Sequence, residues 1–221
     1  MKTAIITGAS DGIGAAIAER LSSDHQLILC GRDEEKLKVV SEKCGNAKYF
    51  AFDVNNAKQR NDFFDQVSKV DTLINNAGVW HKVGDLETLS DEKILEVLNT
   101  NLVAQILITR GLLLKLKESV EGAIINIISK SGIVAQAGQS VYTASKYGMR
   151  GFTDVLRQDL KESSIRVGAV FQSGTNTQMF AKAGDEFAVE TFTEPKDLAE
   201  VVAFMLSRPE KLWINEVMVE K

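Results

Sequence analysis

The chain has 221 residues, 44% of them hydrophobic, enough to bury one full α/β core without calling for a second domain. With 26 Lys and Arg against 30 Asp and Glu, the net charge of −4 gives no electrostatic footprint for nucleic acid and no basic stripe for a membrane surface, so a small-molecule ligand is the expected partner. The two cysteines, Cys30 and Cys44, lack CxxC spacing and support neither a disulfide framework nor a metal site; with no signal-peptide pattern and no run of about 18 apolar residues, the expected location is cytoplasmic.

Seven short β-rich runs, at 3–7, 26–30, 48–52, 72–75, 123–129, 166–171 and 213–219, alternate with about six amphipathic segments of helical length. This alternation predicts a single doubly wound α/β domain over residues 1–221, with a parallel sheet covered by helices on both faces. Ligands in such sheets bind beyond the carboxyl ends of the strands, so chemistry is sought there.

The first strand runs into Thr7-Gly8-Ala9-Ser10-Asp11-Gly12-Ile13-Gly14 and then directly into a helical segment. Glycines at this turn let backbone approach a pyrophosphate, and the helix amino end offers unpaired N–H groups and a positive dipole to it. The spacing is GxxxGxG rather than GxGxxG. The second strand ends Cys30-Gly31-Arg32-Asp33, where doubly wound folds read the adenosine ribose. Arginine there pairs with the 2′-phosphate of NADP, whereas an acid would hold the free 2′-hydroxyl of NAD. Arg32 therefore favours NADP, with NAD the alternative. Asp11 in the glycine turn would oppose the phosphate, and Asp33 also reads as the cap of the next helix.

Asp53-Val54 follows the third strand, where the aspartate either stabilises a turn or accepts from an adenine amino group. Asn75-Asn76-Ala77-Gly78 closes the fourth. A long helical pattern starting at Ser90 contains Asn101, a polar residue among apolar ones that is expected to kink the helix or hold a water. The fifth strand ends in Ser129, a hydroxyl able to polarise a carbonyl. No histidine is placed to make it a nucleophile, because His25 and His81 both read as surface residues.

Thirteen residues beyond Ser129, Tyr142-Thr143-Ala144-Ser145-Lys146 opens an apolar helical segment. Residues four apart share a helix face, so phenol and ammonium can point into one space. A cation at ~4 Å in an effective dielectric near 20 is worth roughly 4 kcal/mol, or about three pKa units, which would bring the phenol near working pH.

Taken together, Thr7-Gly8-xxx-Gly12-Ile13-Gly14, Asp53-Val54, Asn75-Asn76-Ala77-Gly78, Asn101-Leu102, Ser129 and Tyr142-xxx-Lys146 resemble, in order and spacing, the short-chain dehydrogenase/reductase family over essentially the whole chain. The resemblance implies a Rossmann-type fold with sheet order 3-2-1-4-5-6-7 and hydride transfer between a nicotinamide cofactor and a carbonyl or secondary alcohol. It further implies Tyr142 as general acid-base, Lys146 lowering its pKa and binding the nicotinamide ribose, Ser129 orienting the substrate oxygen and Asn101 supporting a relay water. The cofactor set on this reading comprises Thr7, Gly8, Ser10, Asp11, Gly12, Ile13, Gly14, Arg32, Asp53, Val54, Asn75, Ala77, Gly78, Tyr142, Lys146 and Thr177, with no metal. Homodimers or homotetramers built on the two long helices are implied as well.

The chain departs from the family after the sixth strand. Where Pro-Gly is usual it has Gln172-Ser173-Gly174-Thr175-Asn176-Thr177, which makes the turn less rigid while Thr177 still matches the nicotinamide-contacting threonine. Residues 178–194 are expected to cover the substrate, with Met179, Phe180 and Phe187 as walls together with Trp80, and with Lys182, Asp185 and Glu186 in solvent.

Overall fold

The computed structural model describes residues 1–209 and 211–221. Seven strands, β1 (Lys2–Thr7), β2 (His25–Gly31), β3 (Lys48–Ala51), β4 (Thr72–Asn75), β5 (Gly122–Ile127), β6 (Ile165–Gln172) and β7 (Glu216–Val219), form one sheet in the order β3-β2-β1-β4-β5-β6-β7. All pairings are parallel. This is the Rossmann-type order expected from the sequence.

Both faces of the sheet are covered, so the central strands read as continuous apolar runs. In β1, Ala4 and Ile6 point to one face, where α1 (Gly12–Leu21), α2 (Glu34–Lys43) and α8 (Pro195–Leu206) contribute Ile17, Leu37 and Val202. Ile5 points to the other, against α3 (Ala57–Gln66), α5 (Ala104–Lys117) and α6 (Ser140–Asp159), through Phe63, Ile108 and Leu156. Ile5 and Ile6 are wholly buried, and truncating either to alanine would cost about 2–5 kcal/mol.

Helix starts follow the local chemistry. The Asp33 carboxylate accepts from Lys36 N–H at 3.1 Å and caps α2. Ser90 accepts from Lys93 N–H at 3.3 Å and starts α4 (Asp91–Leu98), with Asp91 and Glu92 in its first turn, where the helix dipole favours acids. The helix that follows is interrupted around Asn101. A π-helical turn at Asn99–Val103 joins α4 to α5, and such insertions often mark functional positions. The whole stretch Asp91–Lys117 is long and apolar enough to cross a membrane by composition alone, a length the sequence reading did not recognise. Its inner face, Val97, Ala104, Ile108, Leu112 and Leu116, is buried, which makes it a core helix of the sheet.

At the amino edge of the sheet, Asp71 ties three elements together. Its carboxylate accepts from Thr3 N–H at 2.8 Å and from the Ser119 hydroxyl at 2.7 Å, and pairs with Lys69 at 3.1 Å.

Candidate active site

The carboxyl ends of the strands surround a cleft of about 800 Å³, within the range of small-molecule and cofactor sites. At its floor the turn after β1 holds Gly8 at φ +66° and Gly12 at φ +54°, backbone conformations that favour glycine. Asp11 caps α1 by accepting from Gly12 N–H at 2.8 Å. The turn is fixed to the end of β4. The Thr7 hydroxyl accepts from the N–H groups of Asn76 and Ala77, both at 3.0 Å, and the Asn76 side-chain amide donates to the carbonyls of Thr7 and Gly8 at 2.9 and 3.1 Å.

One end of the cleft is lined by Arg32, Asp53 and Val54. The Asp33 carboxylate there is engaged by its cap, and that of Asp53 accepts from Asn55 N–H at 2.8 Å. Asp11 meets two cations, Lys36 at 3.2 Å and Lys182 at 2.9 Å. Burial tends to raise its pKa, but its bonds to Lys182 and Lys36 prevail and hold the carboxyl below its ordinary value. Lys36 and Lys182 therefore offset the acid that the sequence placed against a phosphate, and Arg32 lines the same end of the cleft.

At the other end α6 brings Tyr142 and Lys146 to the cleft beside Ser129, and these three are 6%, 6% and 9% exposed. The Lys146 ammonium lies 5.5 Å from the centre of the Tyr142 ring and donates to the Ile127 carbonyl at 3.4 Å. Ser129 sits two residues beyond β5 at φ 152°, ψ 156°, a region nearly restricted to glycine that costs of order 1–3 kcal/mol and is found at functional sites. Its hydroxyl accepts from Ser131 N–H at 3.1 Å.

The electrostatics differ from the sequence expectation. Burial pushes the Tyr142 phenol up to about 12, against a lowering from its hydrogen bond with Ser129, and burial brings Lys146 down to about 8. Desolvation of the buried phenol thus prevails over the lowering that the sequence led one to expect from Lys146.

Of the residues singled out from sequence, Gly8, Ser10, Asp11, Gly12, Ile13, Arg32, Asp53, Val54, Ala77, Gly78, Ser129, Tyr142, Lys146 and Thr177 line the cleft. Thr7, Gly14, Asn75 and Asn101 stand behind its wall. Gly14 packs so closely that a Cβ would come within 2.2 Å of the Gly8 carbonyl. Asn75, the last residue of β4, points into the sheet and donates to Thr109 at 2.9 Å and Asn126 at 2.8 Å. Asn101 accepts from Val79 N–H at 2.7 Å and donates to the Val79 carbonyl at 2.9 Å and to Ser145 at 3.2 Å, so its side chain braces the segment after β4 against α6.

Two further readings are corrected. His81 is 1% exposed rather than a surface residue. Asp185 accepts from the Trp80 indole N–H at 2.6 Å and from Val83 N–H at 3.2 Å, which ties the covering segment down. That segment contains α7 (Met179–Lys182) and a 3₁₀ turn, Val189–Thr191. Phe180 meets Trp80 edge-on at 5.2 Å and Phe187 at 5.1 Å, and Trp80 meets Tyr142 at 4.4 Å. Sequence reasoning also passed over Asn76, although strand alternation, with Asn75 inward, pointed to it. At the departure after β6, Gln172 lines the cleft 8% exposed, and among the described residues its buried Oε1 has no partner.

This is the sheet of a doubly wound α/β enzyme, with its cleft at the carboxyl ends of the strands. The chain belongs to the short-chain dehydrogenase family and is an oxidoreductase, the model of that family matching residues 2–187. It is 32% identical over 217 residues to the 3-oxoacyl-(acyl-carrier-protein) reductase FabG of Rickettsia bellii, covering 94% of this chain and 90% of that one. Among solved structures it resembles a serine dehydrogenase complexed with NADP+, with TM-score 0.92, 28% identity and coverage of 98% and 94%. It also resembles a 3-ketoacyl-(acyl-carrier-protein) reductase from Brucella melitensis complexed with NADH, with TM-score 0.87, 27% identity and coverage of 99% and 95%.

Proposed function

We propose that this protein is an NADP-dependent oxidoreductase that interconverts a small carbonyl compound and its secondary alcohol, with Tyr142 as general acid-base. The observation carrying this reading is the convergence of Tyr142, Lys146 and Ser129 on the same cleft as the glycine turn and Arg32. The cleft fits a dinucleotide. Gly8 and Gly12 leave a cradle without Cβ atoms at the amino end of α1, and Arg32, with Lys36 and Lys182 nearby, supplies positive charge for a 2′-phosphate. NADP in the serine dehydrogenase structure supports the same choice, and NADH in the Brucella reductase keeps NAD as the weaker alternative.

When bound, the nicotinamide supplies or accepts the hydride at its C4. The chain's own part is to place and protonate. Ser129 orients the carbonyl oxygen by hydrogen bonding, and Tyr142 gives it a proton as alkoxide character develops. A phenol held at about 12 is protonated at neutral pH, the form reduction needs. Lys146, brought down to about 8, is still largely an ammonium at pH 7, so its charge stabilises the phenolate left behind. The pair therefore works as a proton donor backed by a cation rather than as a pre-ionised phenolate.

Residues 178–194 cover the substrate in a single domain spanning 1–221, and the aromatic wall of Trp80, Phe180 and Phe187 suits a small, partly apolar substrate. Exposed Val103 and Leu114 on the π turn and α5, and Tyr147 and Val155 on α6, suit a homodimer or homotetramer through those helices. The test is a screen of aldehydes, ketones, quinones and keto acids with NADPH and NADH. Turnover with NADPH preferred is expected. A preference for NADH above tenfold would overturn the assignment of Arg32.

A further inference from the structure

His81 is one of only two histidines in the chain, and it lies wholly inside, stacked on Trp80 at a centroid distance of 5.9 Å. Both of its ring nitrogens are engaged. Nδ1 lies 2.8 Å from the Lys82 carbonyl oxygen, and Nε2 lies 3.2 Å from the backbone N of Tyr142. A carbonyl only accepts and a backbone N–H only donates, so the two partners select one tautomer, with the proton on Nδ1 and the lone pair on Nε2.

The place where Nε2 lands gives this bond its meaning. Helix α6 begins at Ser140, and among the described residues Gln139 at its N-cap makes no side-chain cap bond. Tyr142 is the third residue of the helix, one of the early N–H donors that a cap normally satisfies. The cap is thus supplied from the segment after β4, and it falls on the backbone of the residue assigned the proton transfer.

We propose that His81 is a positioning residue for Tyr142, an inference that rests on the acid-base role given above. Its neutral imidazole caps the amino end of α6 from outside the helix and fixes where the Tyr142 backbone, and hence the phenol, stands over the cleft. Trp80, the preceding residue, holds the phenol ring edge-on, so two adjacent side chains grip the tyrosine by backbone and by ring. A misplacement of about 1 Å in such a group costs on the order of a hundredfold in rate, so loss of the cap should appear in turnover before it appears in binding.

Three variants test this, with NADPH and ethyl acetoacetate as probe carbonyl. His81→Leu removes the acceptor, His81→Gln can place an amide oxygen near the position of Nε2, and His81→Asn is too short to reach Tyr142. The expected result is a kcat at least tenfold lower in His81→Leu with the Kd for NADPH within twofold of the parent, recovery to within threefold in His81→Gln, and no recovery in His81→Asn. A kcat for His81→Leu within twofold of the parent, or equal activity of the glutamine and asparagine variants, would overturn the proposal; the latter pair decides should the leucine variant not fold. Imidazole ¹⁵N spectra of the parent give a readout independent of turnover and of the probe, since a protonated Nε2 at neutral pH would also overturn it. Tyr142→Phe measured alongside separates the two levels. If that variant stays active the acid-base reading itself fails, whereas an inactive Tyr142→Phe beside a fully active His81→Leu defeats the positioning role alone.

Discussion

Two buried polar clusters at opposite ends of the sheet, Asp71 with its partners and Tyr142 with Lys146, balance burial in opposite ways. At the amino edge Asp71 is 4% exposed, yet it is satisfied by Thr3, Ser119 and Lys69. Burial alone would raise its carboxyl, but those bonds outweigh it and hold the pKa below the ordinary value. For Tyr142 and Lys146 at the carboxyl edge, burial instead outweighs the bonds they make. Lys146 is brought down to about 8 and Tyr142 pushed up to about 12, Ser129 sits in a strained conformation, and the Gln172 carbonyl oxygen has no partner among the described residues. The Asp71 cluster holds the fold together, and the Tyr142 cluster carries energetic cost where a ligand and a reaction would use it.

The comparison breaks first at Asp71. Asp71→Ala leaves the Thr3 N–H and the Ser119 hydroxyl without their acceptor, and should cost about 3 kcal/mol. For a chain of this size that is a fall in Tm of roughly 6–12 °C, with kcat at 25 °C unchanged. A loss of activity without a loss of stability would show that the two edges are not separable in this way.

The next effect concerns pH. The folded-state pKa of Lys146, about 8, lies below its unfolded value, so the unfolded chain holds more protons as pH rises from about 8 towards 10.5, and stability contributed at this site rises with it. The gain should reach about 2 kcal/mol by pH 10 relative to Lys146→Met, which cannot titrate. Tyr142, shifted the other way, subtracts from stability only above pH 10. Melting curves of parent and variant from pH 7 to 10, without cofactor, give the difference directly. A constant gap would mean that the ammonium is not desolvated.

The smallest expected effect sharpens the strain argument. Glycine ordinarily destabilises relative to alanine by about 0.5–1 kcal/mol. At φ 152° that order should invert, with Ser129→Gly about 1 kcal/mol more stable than Ser129→Ala in denaturant unfolding. The usual order would show the strain to be absent.

The fold was legible because period and order carried it. Strand ends fell within a few residues of expectation at β1, β2 and β4, and β5 and β7 proved shorter, since Ser129 belongs to a turn and Glu216 starts the last strand. Motif spacing named the residues that meet in the cleft, but what each side chain touches there depends on contacts between distant elements. Asn101 is taken up by Val79 and Asn75 by Asn126, neither of which spacing along the chain reveals. His81 and Asp185 were misjudged because a polar residue in a loop has solvent as its default surroundings, and it is the start of α6 that takes up His81 and Trp80 that takes up Asp185. The direction of the Tyr142 pKa shift reversed because a pair four residues apart on a helix specifies a shared face but not the depth of burial.

The central claim, that Tyr142 delivers the proton while the cofactor is held by other residues, is tested most directly by Tyr142→Phe. NADPH binding by fluorescence titration and carbonyl-dependent NADPH oxidation would be measured on the same preparation. Binding within twofold of the parent together with a kcat at least about 10³-fold lower is the predicted result; oxidation within a fewfold of the parent would contradict it.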